Sequence, residues 1–198
     1  MTHTILSDLK TCILVSTHDR YEDVARFTVK QIERQWRGHP AIYLCGLSKP
    51  RDPKDLILRR DGADWIGILL DAVETLREKG FQLVYLVLDD HPPMGRCSEN
   101  ILNDVLPATI MDLQGANICL FGSGQGREVT GKLVHSAGVS LEQLPNAELW
   151  RYSLHPGLWS LNQLNALLIK LDQQLVSLDS RNAWTFERFS GTEITSNG

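Results

Sequence analysis

The chain has 198 residues, 42% of them apolar and 22% charged, with 15 Gly and 8 Pro. At about 150 residues per domain that is one globular domain with a real core, which excludes disordered, collagenous and repeat-polymer classes. Lys and Arg number 20 against 24 Asp and Glu, and a formal charge of −4 provides no field to draw in nucleic acid or an anionic membrane, so neither is expected as a partner.

Residues 11–16, TCILVS, form an apolar run expected of a strand buried on both faces. The period then changes. In YEDVARFTVKQIERQW, Val24, Phe27, Ile32 and Trp36 recur at helical spacing, with Asp19 as a cap before them and Gly38 as a stop after. Residues 41–45, AIYLC, read as a strand ending at Gly46. The stretch from Leu47 to Asp64, with Pro50 and Pro53, reads as loop with one short helix around Leu56–Arg59. Ile66, Leu69, Leu70, Val73 and Leu76 mark an amphipathic helix that Gly80 closes. FQLVYLVL, residues 81–88, is a central strand that stops abruptly at Asp89-Asp90-His91-Pro92-Pro93.

Ser98 and Glu99 start a helix through Leu106, which Pro107 should end or kink. ANICLFG, residues 116–122, is a further strand and leads into the glycine-rich GSGQG. After Pro145, ELWRYSLHPGLWS reads as strand and turn. A helix capped by Ser160 follows, with Leu161, Leu164, Leu168, Leu171, Leu175 and Leu178 on one face. Residues 1–190 are expected as a single domain and 191–198 as a frayed tail. Cys12, Cys45, Cys97 and Cys119 stand isolated, with no C-x-x-C pair, and read as buried reduced thiols.

Alternating strands and helices predict an α/β three-layer sandwich with a mostly parallel sheet. No stretch reaches the ~18 apolar residues of a spanning helix. The opening MTHTILSDLKTC lacks the basic and apolar regions of a signal peptide, so a cytoplasmic protein without a transmembrane segment is expected.

In such sheets ligands bind outside the carboxyl ends of the strands, which directs attention to residues 17–20, 89–91 and 122–126. In LVLDDHPP, Asp89 and His91 fall on one side of an extended chain, where a divalent cation could bridge them to a diphosphate. The same residues also suit a turn whose aspartates accept from backbone N–H groups. At His18-Asp19-Arg20, Arg20 and the Thr17 hydroxyl suit a nucleotide or phosphate, while Asp19 suits helix capping equally well. His155-Pro156, with Trp150 and Trp159, reads either as the lining of a sugar or base pocket or as a packed aromatic cluster. Gly126 to Gly131-Lys132 matches a phosphate loop in spacing, but Leu133 stands where that loop needs a hydroxyl for magnesium. Gly122-x-Gly124 has Arg127 in place of the third glycine of a dinucleotide fingerprint. H-E-x-x-H and G-x-S-x-G are absent.

Several pieces in order resemble the bacterial surface-polysaccharide glycosyltransferases of the GT-A fold, small nucleotide-diphospho-sugar transferases. They are ILVSTHDRY, DWIGILLDAVETL, LVYLVLDD, YSLHPGLWSLNQLNALL and AWTFERF, the last resembling that family's W-x-F-E segment, and they span Cys12 to Phe189. The resemblance implies that Asp89, Asp90 and His91 occupy the D-x-D-like position, with Asp89 and His91 on a manganese or magnesium ion and Asp90 on the donor. It implies donor contacts from Thr17, Asp19, Arg20, Asp64 and Trp65. Glu187, at the W-x-F-E carboxylate, would be the general base toward a glycan or lipid-linked acceptor, with His155, Trp159 and Trp184 on the acceptor side. His91 departs from the acid expected there, and an imidazole suits manganese better than magnesium. The stretch after Glu187 is short for that family, so part of the acceptor site is expected to be either missing or supplied by a protein partner. The alternatives are a non-catalytic nucleotide-sugar-binding or assembly relative that lacks a complete acceptor site, and an unrelated nucleotide-binding protein using Gly122–Lys132.

Overall fold

The computed structural model describes residues 9–57, 62–120, 132–136, 138–144 and 152–192. In chain order the elements are β1 (Thr11–Ser16), α1 (Glu22–Gln35), β2 (Ala41–Leu47), β3 (Asp55–Ile57), α2 (Trp65–Glu78) and β4 (Leu83–Leu88). Then come α3 (Leu106–Asp112), β5 (Asn117–Cys119), β6 (Lys132–Ser136), β7 (Val139–Gln143), β8 (Gly157–Ser160), α4 (Leu161–Gln174) and α5 (Ala183–Thr192).

β1 and β4 are parallel neighbours, Thr11 opposite Leu83 and Ser16 opposite Leu88. Their side chains alternate between two cores. Cys12, Leu14, Val84 and Leu86 join one, and Ile13, Val15, Leu83, Tyr85 and Val87 join the other. Helices must therefore cover both faces. α2, α4 and α5 pack on the first through Leu69, Val73, Leu164, Leu168, Leu171 and Phe186. Ala25, Ile32, Trp36, Leu106 and Ile110, from α1 to α3, pack on the second. The sheet order is β3-β2-β1-β4-β8-β5, with β8 antiparallel to both of its neighbours and the other pairs parallel. The protein is α/β, with a mostly parallel six-stranded mixed sheet flanked by helices. β6 and β7 form a separate antiparallel hairpin.

Local chemistry explains where elements stop. The Asp64 side chain accepts from Gly67 N–H at 2.8 Å and starts α2, and Gly80 at φ +83° ends that turn. Among the described residues no helix is long and apolar enough to cross a membrane. Cys12 and Cys45 are buried and Cys97 and Cys119 half-buried. Burial pushes the thiols of Cys12 and Cys45 up to about 12, so both stay protonated at neutral pH.

Several elements differ from the pattern in the sequence. Residues 55–57 form a strand where a short helix was expected, because Asp55 is pinned from four sides. Arg26 forks onto it at 2.9 and 2.5 Å, and the N–H groups of Arg51 and Asp52 donate to it at 2.7 and 3.0 Å. α1 buries Ala25, Thr28 and Ile32 and leaves Phe27 49% exposed. Asp19 lies in a 3-10 turn before α1 and does not cap it; Tyr21 precedes the helix with no side-chain cap bond. Pro107 does not end the helix: it falls in the first turn of α3, directly after a π-helical turn over Ile101–Val105, and the helical path continues through it to Asp112. Ser160 makes no capping hydrogen bond, and Leu178 lies beyond α4 and is exposed. α5 runs to Thr192, into the stretch expected as tail, and 193–198 lie outside the described residues.

Gly46 has φ +97°, and a Cβ there would lie 1.9 Å from the Thr17 carbonyl oxygen. Gly46→Ala should cost about 2 kcal/mol or more and lower Tm by about 4–8 °C. Gly95→Ala, with open space at its Cβ, should change Tm by no more than about 2 °C. For Asp55, burial raises the pKa, but the Arg26 hydrogen bond and the Arg51 and Asp52 N–H groups outweigh it and hold the carboxyl below its ordinary value. Its stabilisation is therefore present above the unfolded-state pKa and lost as pH falls through the folded one. Asp55→Asn should lower Tm at pH 7, and the gap to wild type should close as the pH approaches about 2. A gap that stays constant with pH would remove the carboxylate's charge from the explanation.

Candidate functional site

From β1 the chain turns outward through α1 to β2, then crosses the other face through α2 to reach β4. The carboxyl ends of β1 and β4 are thus the switch point where an open α/β sheet leaves a crevice. Thr17 and Asp89 meet there. The Thr17 hydroxyl donates to Asp89 Oδ2 at 2.6 Å, Asp89 N–H donates to the Ser16 carbonyl at 3.1 Å, and buried Thr28 of α1 donates to the Asp89 carbonyl. Burial raises the Asp89 pKa, against the bond from Thr17, and the neighbouring Asp90 charge adds to the rise.

Asp90 points outward, and its Oδ1 lies 3.3 Å from His91 Nδ1. The two are near enough for an ion pair but not aligned for a hydrogen bond, so buried Nδ1 is left without one. The His91 ring meets His155 edge-on at a centroid distance of 5.3 Å. That contact carries the crevice from β4 to the segment leading into β8.

α5 closes the same rim. Glu187 Oε1 accepts from Leu154 N–H at 2.7 Å and from the Ser153 hydroxyl at 3.3 Å. Phe186, fully buried, stands edge-on to Trp65 at 5.7 Å and to Trp159 at 6.0 Å. Trp65 Nε1 in turn donates to Ser16 Oγ at 3.0 Å. Thr17, Trp65, Asp89, Asp90, His91, His155 and Glu187, from five separate stretches of chain, thus form one linked rim.

The other expected residues lie apart from its centre. Asp19 Oδ1 accepts from Ser48 N–H at 2.8 Å, and hydrogen bonds from the Ser48 side chain and backbone hold its carboxyl below the usual range. The Arg20 guanidinium sits 5.8 Å from the Tyr21 ring centroid. Asp64 faces inward, where its two oxygens take the guanidinium fork of Arg181 at 2.6 and 3.1 Å. Trp159 is 1% exposed and packs in the core beside Tyr152, its Nε1 without a hydrogen-bond partner. Trp184 is 69% exposed on α5. Trp150 and the glycine segment 122–131 lie outside the described residues.

Among the described residues no group of three or more His, Cys, Asp or Glu side chains is arranged to hold a metal ion. Asp89 and His91 offer a carboxylate oxygen and a buried nitrogen without a hydrogen bond, donor types that fit a divalent cation.

Sequence reasoning passes over Arg181, Thr28, Ser16 and Ser153. Arg181 and Asp64 are 117 positions apart, and no local pattern joins them. Ser16 and Thr28 lie inside apolar segments that read as core, and their hydroxyls gain meaning only from what the fold brings beside them. Comparisons with protein-family models, with curated proteins and with solved structures returned no match.

The Asp64–Arg181 pair is withdrawn from water, at 6% and 7% exposure. Removing one partner strands the other charge. Arg181→Met should cost about 3–5 kcal/mol in urea unfolding, and adding Asp64→Asn should recover part of it. Additive losses would mean that the two charges are not coupled.

Proposed function

We propose that the chain is a glycosyltransferase of the GT-A kind, working in the cytoplasm on a nucleotide-diphospho-sugar and passing the sugar, with inversion, to a glycan or lipid-linked hydroxyl acceptor. The observation that carries this reading is the junction at the ends of β1 and β4. Thr17 is bonded to Asp89 at 2.6 Å there, with Asp90 and His91 beside them and Glu187 brought to the same rim by α5. A crevice with hydroxyl, carboxylate and imidazole groups at a switch point suits a ligand with a diphosphate between a base and a sugar.

In this reading Thr17, Asp19 and Arg20 bind the nucleotide end, Arg20 by its charge on phosphate. Asp90 sits toward the diphosphate, and Trp65 walls the donor side. Asp64 acts from beneath, as the cap of α2. Asp89 and His91 would hold manganese or magnesium, which when bound supplies positive charge for the departing nucleotide diphosphate. Glu187 accepts the proton of the attacking hydroxyl, and its Leu154 and Ser153 bonds orient the carboxylate. His155 and Trp184 border the acceptor side. Trp159 supports that wall from inside.

A second reading is favoured by one observation: the same Glu187 oxygen is tied to Leu154 N–H and Ser153, as suits a clasp that fastens α5 to the 152–155 segment. The protein would then bind a nucleotide-sugar without transferring it. The third alternative, a phosphate loop at Gly122–Lys132, falls almost entirely outside the described residues.

Thermal shift with uridine and guanosine diphosphate sugars, with and without manganese, tests donor binding. A ligand at 100 times its Kd stabilises by about 2.7 kcal/mol, which raises Tm by about 5–10 °C. The shift should need manganese and disappear in Asp89→Ala. Glu187→Gln should then lower transfer by about 100-fold or more while leaving the donor shift in place. No shift with any donor sinks both readings, and a shift without transfer by the wild-type chain selects the second.

A further inference from the structure

Between α4 and α5 one cation is withdrawn from water. Arg181 is gripped from three directions: Nε and Nη2 fork onto Asp64, Nη2 also meets the Asp172 carboxylate, and Nη1 donates to the Asp172 and Leu175 carbonyls at 3.1 and 2.9 Å. Its own carbonyl accepts from Ile66 N–H at 3.3 Å. These contacts raise the Arg181 pKa further, the Asp64 hydrogen bond first, so the group is a permanent cation.

The position of this grip matters more than its strength. Asp64 immediately precedes Trp65, and the residue after Arg181, Asn182, caps α5 by accepting from Thr185 N–H at 2.9 Å. One guanidinium therefore fixes where α2 begins, where α4 ends and where α5 starts. From that start Phe186 falls against Trp65 and Glu187 falls on Leu154 N–H. Trp65 is in turn bonded to Ser16, next to Thr17 in the crevice.

We propose that Arg181 is a positioning residue of the candidate site: its buried guanidinium, held between Asp64 and Asp172, sets Trp65 and Glu187 in register with each other across Phe186. The catalytic consequence rests on the transferase reading, and the geometric one does not. Arg181 touches no substrate in this scheme. It acts through the place at which α5 begins, and a lysine cannot reproduce the action, because one ammonium lacks the planar fork that meets Asp64 and the α4 carbonyls together.

Amide hydrogen exchange on the full chain reads the register directly, because Leu154 N–H is bonded to Glu187. In Arg181→Lys the Leu154 amide should exchange about 10-fold faster or more, while the Leu14 and Leu86 amides of the central strands stay within about 2-fold of wild type. Glu187→Ala should speed Leu154 exchange by itself, and adding Arg181→Lys should bring no further increase. Unchanged Leu154 exchange in Arg181→Lys, or additive acceleration in the double variant, overturns the proposal. Should Arg181→Lys not fold, Asp172→Asn loosens one side of the grip, keeps the Asp64 fork, and is judged by the same amides.

Transfer kinetics give an independent reading. Arg181→Lys should lower kcat about 10-fold or more with the donor KM within about 2-fold. A raised donor KM at unchanged kcat overturns the positioning of Glu187. A wild-type chain without transferase activity but with the Leu154 response refutes the transferase reading and leaves Arg181 as the residue that positions the wall of a binding crevice.

Discussion

The need to bury β1 and β4 on both faces governs the rest of the molecule. Cys12, Ile13, Leu14 and Val15, and Leu83, Val84 and Leu86 opposite them, are fully withdrawn from water, and neither strand has a face it can show to solvent. Two parallel strands so placed require crossovers, and covering both faces requires those crossovers to run on opposite sides. α1 takes one side, leading from β1 to β2 and β3 on its one flank, and α2 takes the other, leading back to β4 on the opposite flank. That divergence opens the crevice above Ser16 and Leu88. The carboxylate, hydroxyl and imidazole groups stand where the apolar pattern ends because only there does the backbone leave the sheet.

Within this apolar frame a single ionic cluster carries disproportionate weight. Burying Arg181 and Asp64 removes two charges from water, a cost that only close geometry and extra acceptors offset. The structure supplies both, in the fork on Asp64 and in the Asp172 and Leu175 carbonyls. A cluster of apolar side chains would hold α2, α4 and α5 together at lower cost, but it would tolerate sliding. A guanidinium with fixed donor directions does not. Specific register is what the rim requires, because Glu187 meets Leu154 N–H through one oxygen on a helix whose neighbouring residue, Phe186, is wedged between two tryptophans.

The central strands, α2 and α4 were legible in the sequence because each is written in a period that burial enforces. FQLVYLVL has no polar face, and Ile66, Leu69, Leu70, Val73 and Leu76 make one unbroken stripe. Elements decided by single polar contacts were not legible. β3 depends on an Arg26–Asp55 fork that joins distant positions, α1 buries Ala25 and Thr28 and turns Phe27 to solvent, and Pro107 lies in a helical path that continues through it after a π-helical turn. The site divides in the same way. Asp89, Asp90 and His91 were marked by an abrupt change from apolar to charged at a strand end, a signal contained in a few residues. Asp64 marks a helix start in the sequence, but the charge it pairs with, Arg181, sits near the other end of the chain and no local pattern announces it.

The two sides of the crevice are held by different means, and this bears on how the site comes together. Toward β2 the rim is fixed by backbone: Gly46 lets the Thr17 carbonyl approach, and Thr17 N–H is bonded to the Cys45 carbonyl at 3.0 Å. Toward β8 it is fixed by side chains that belong to the last elements of the chain. The pairings of β1 with β2 and with β4 lie within the first half of the sequence, whereas α4, α5 and β8 add the later cover of that core. The loop closure that brings Arg181 to Asp64 spans 117 residues and gains nothing until α2 is already in place to present its cap. The Thr17–Asp89 side of the rim is built on β1 and β4, while Glu187 reaches the rim through the docking of α5. Docking also presses Phe186 against Trp65, so the closing of the Arg181 grip and the completion of the rim are one structural event.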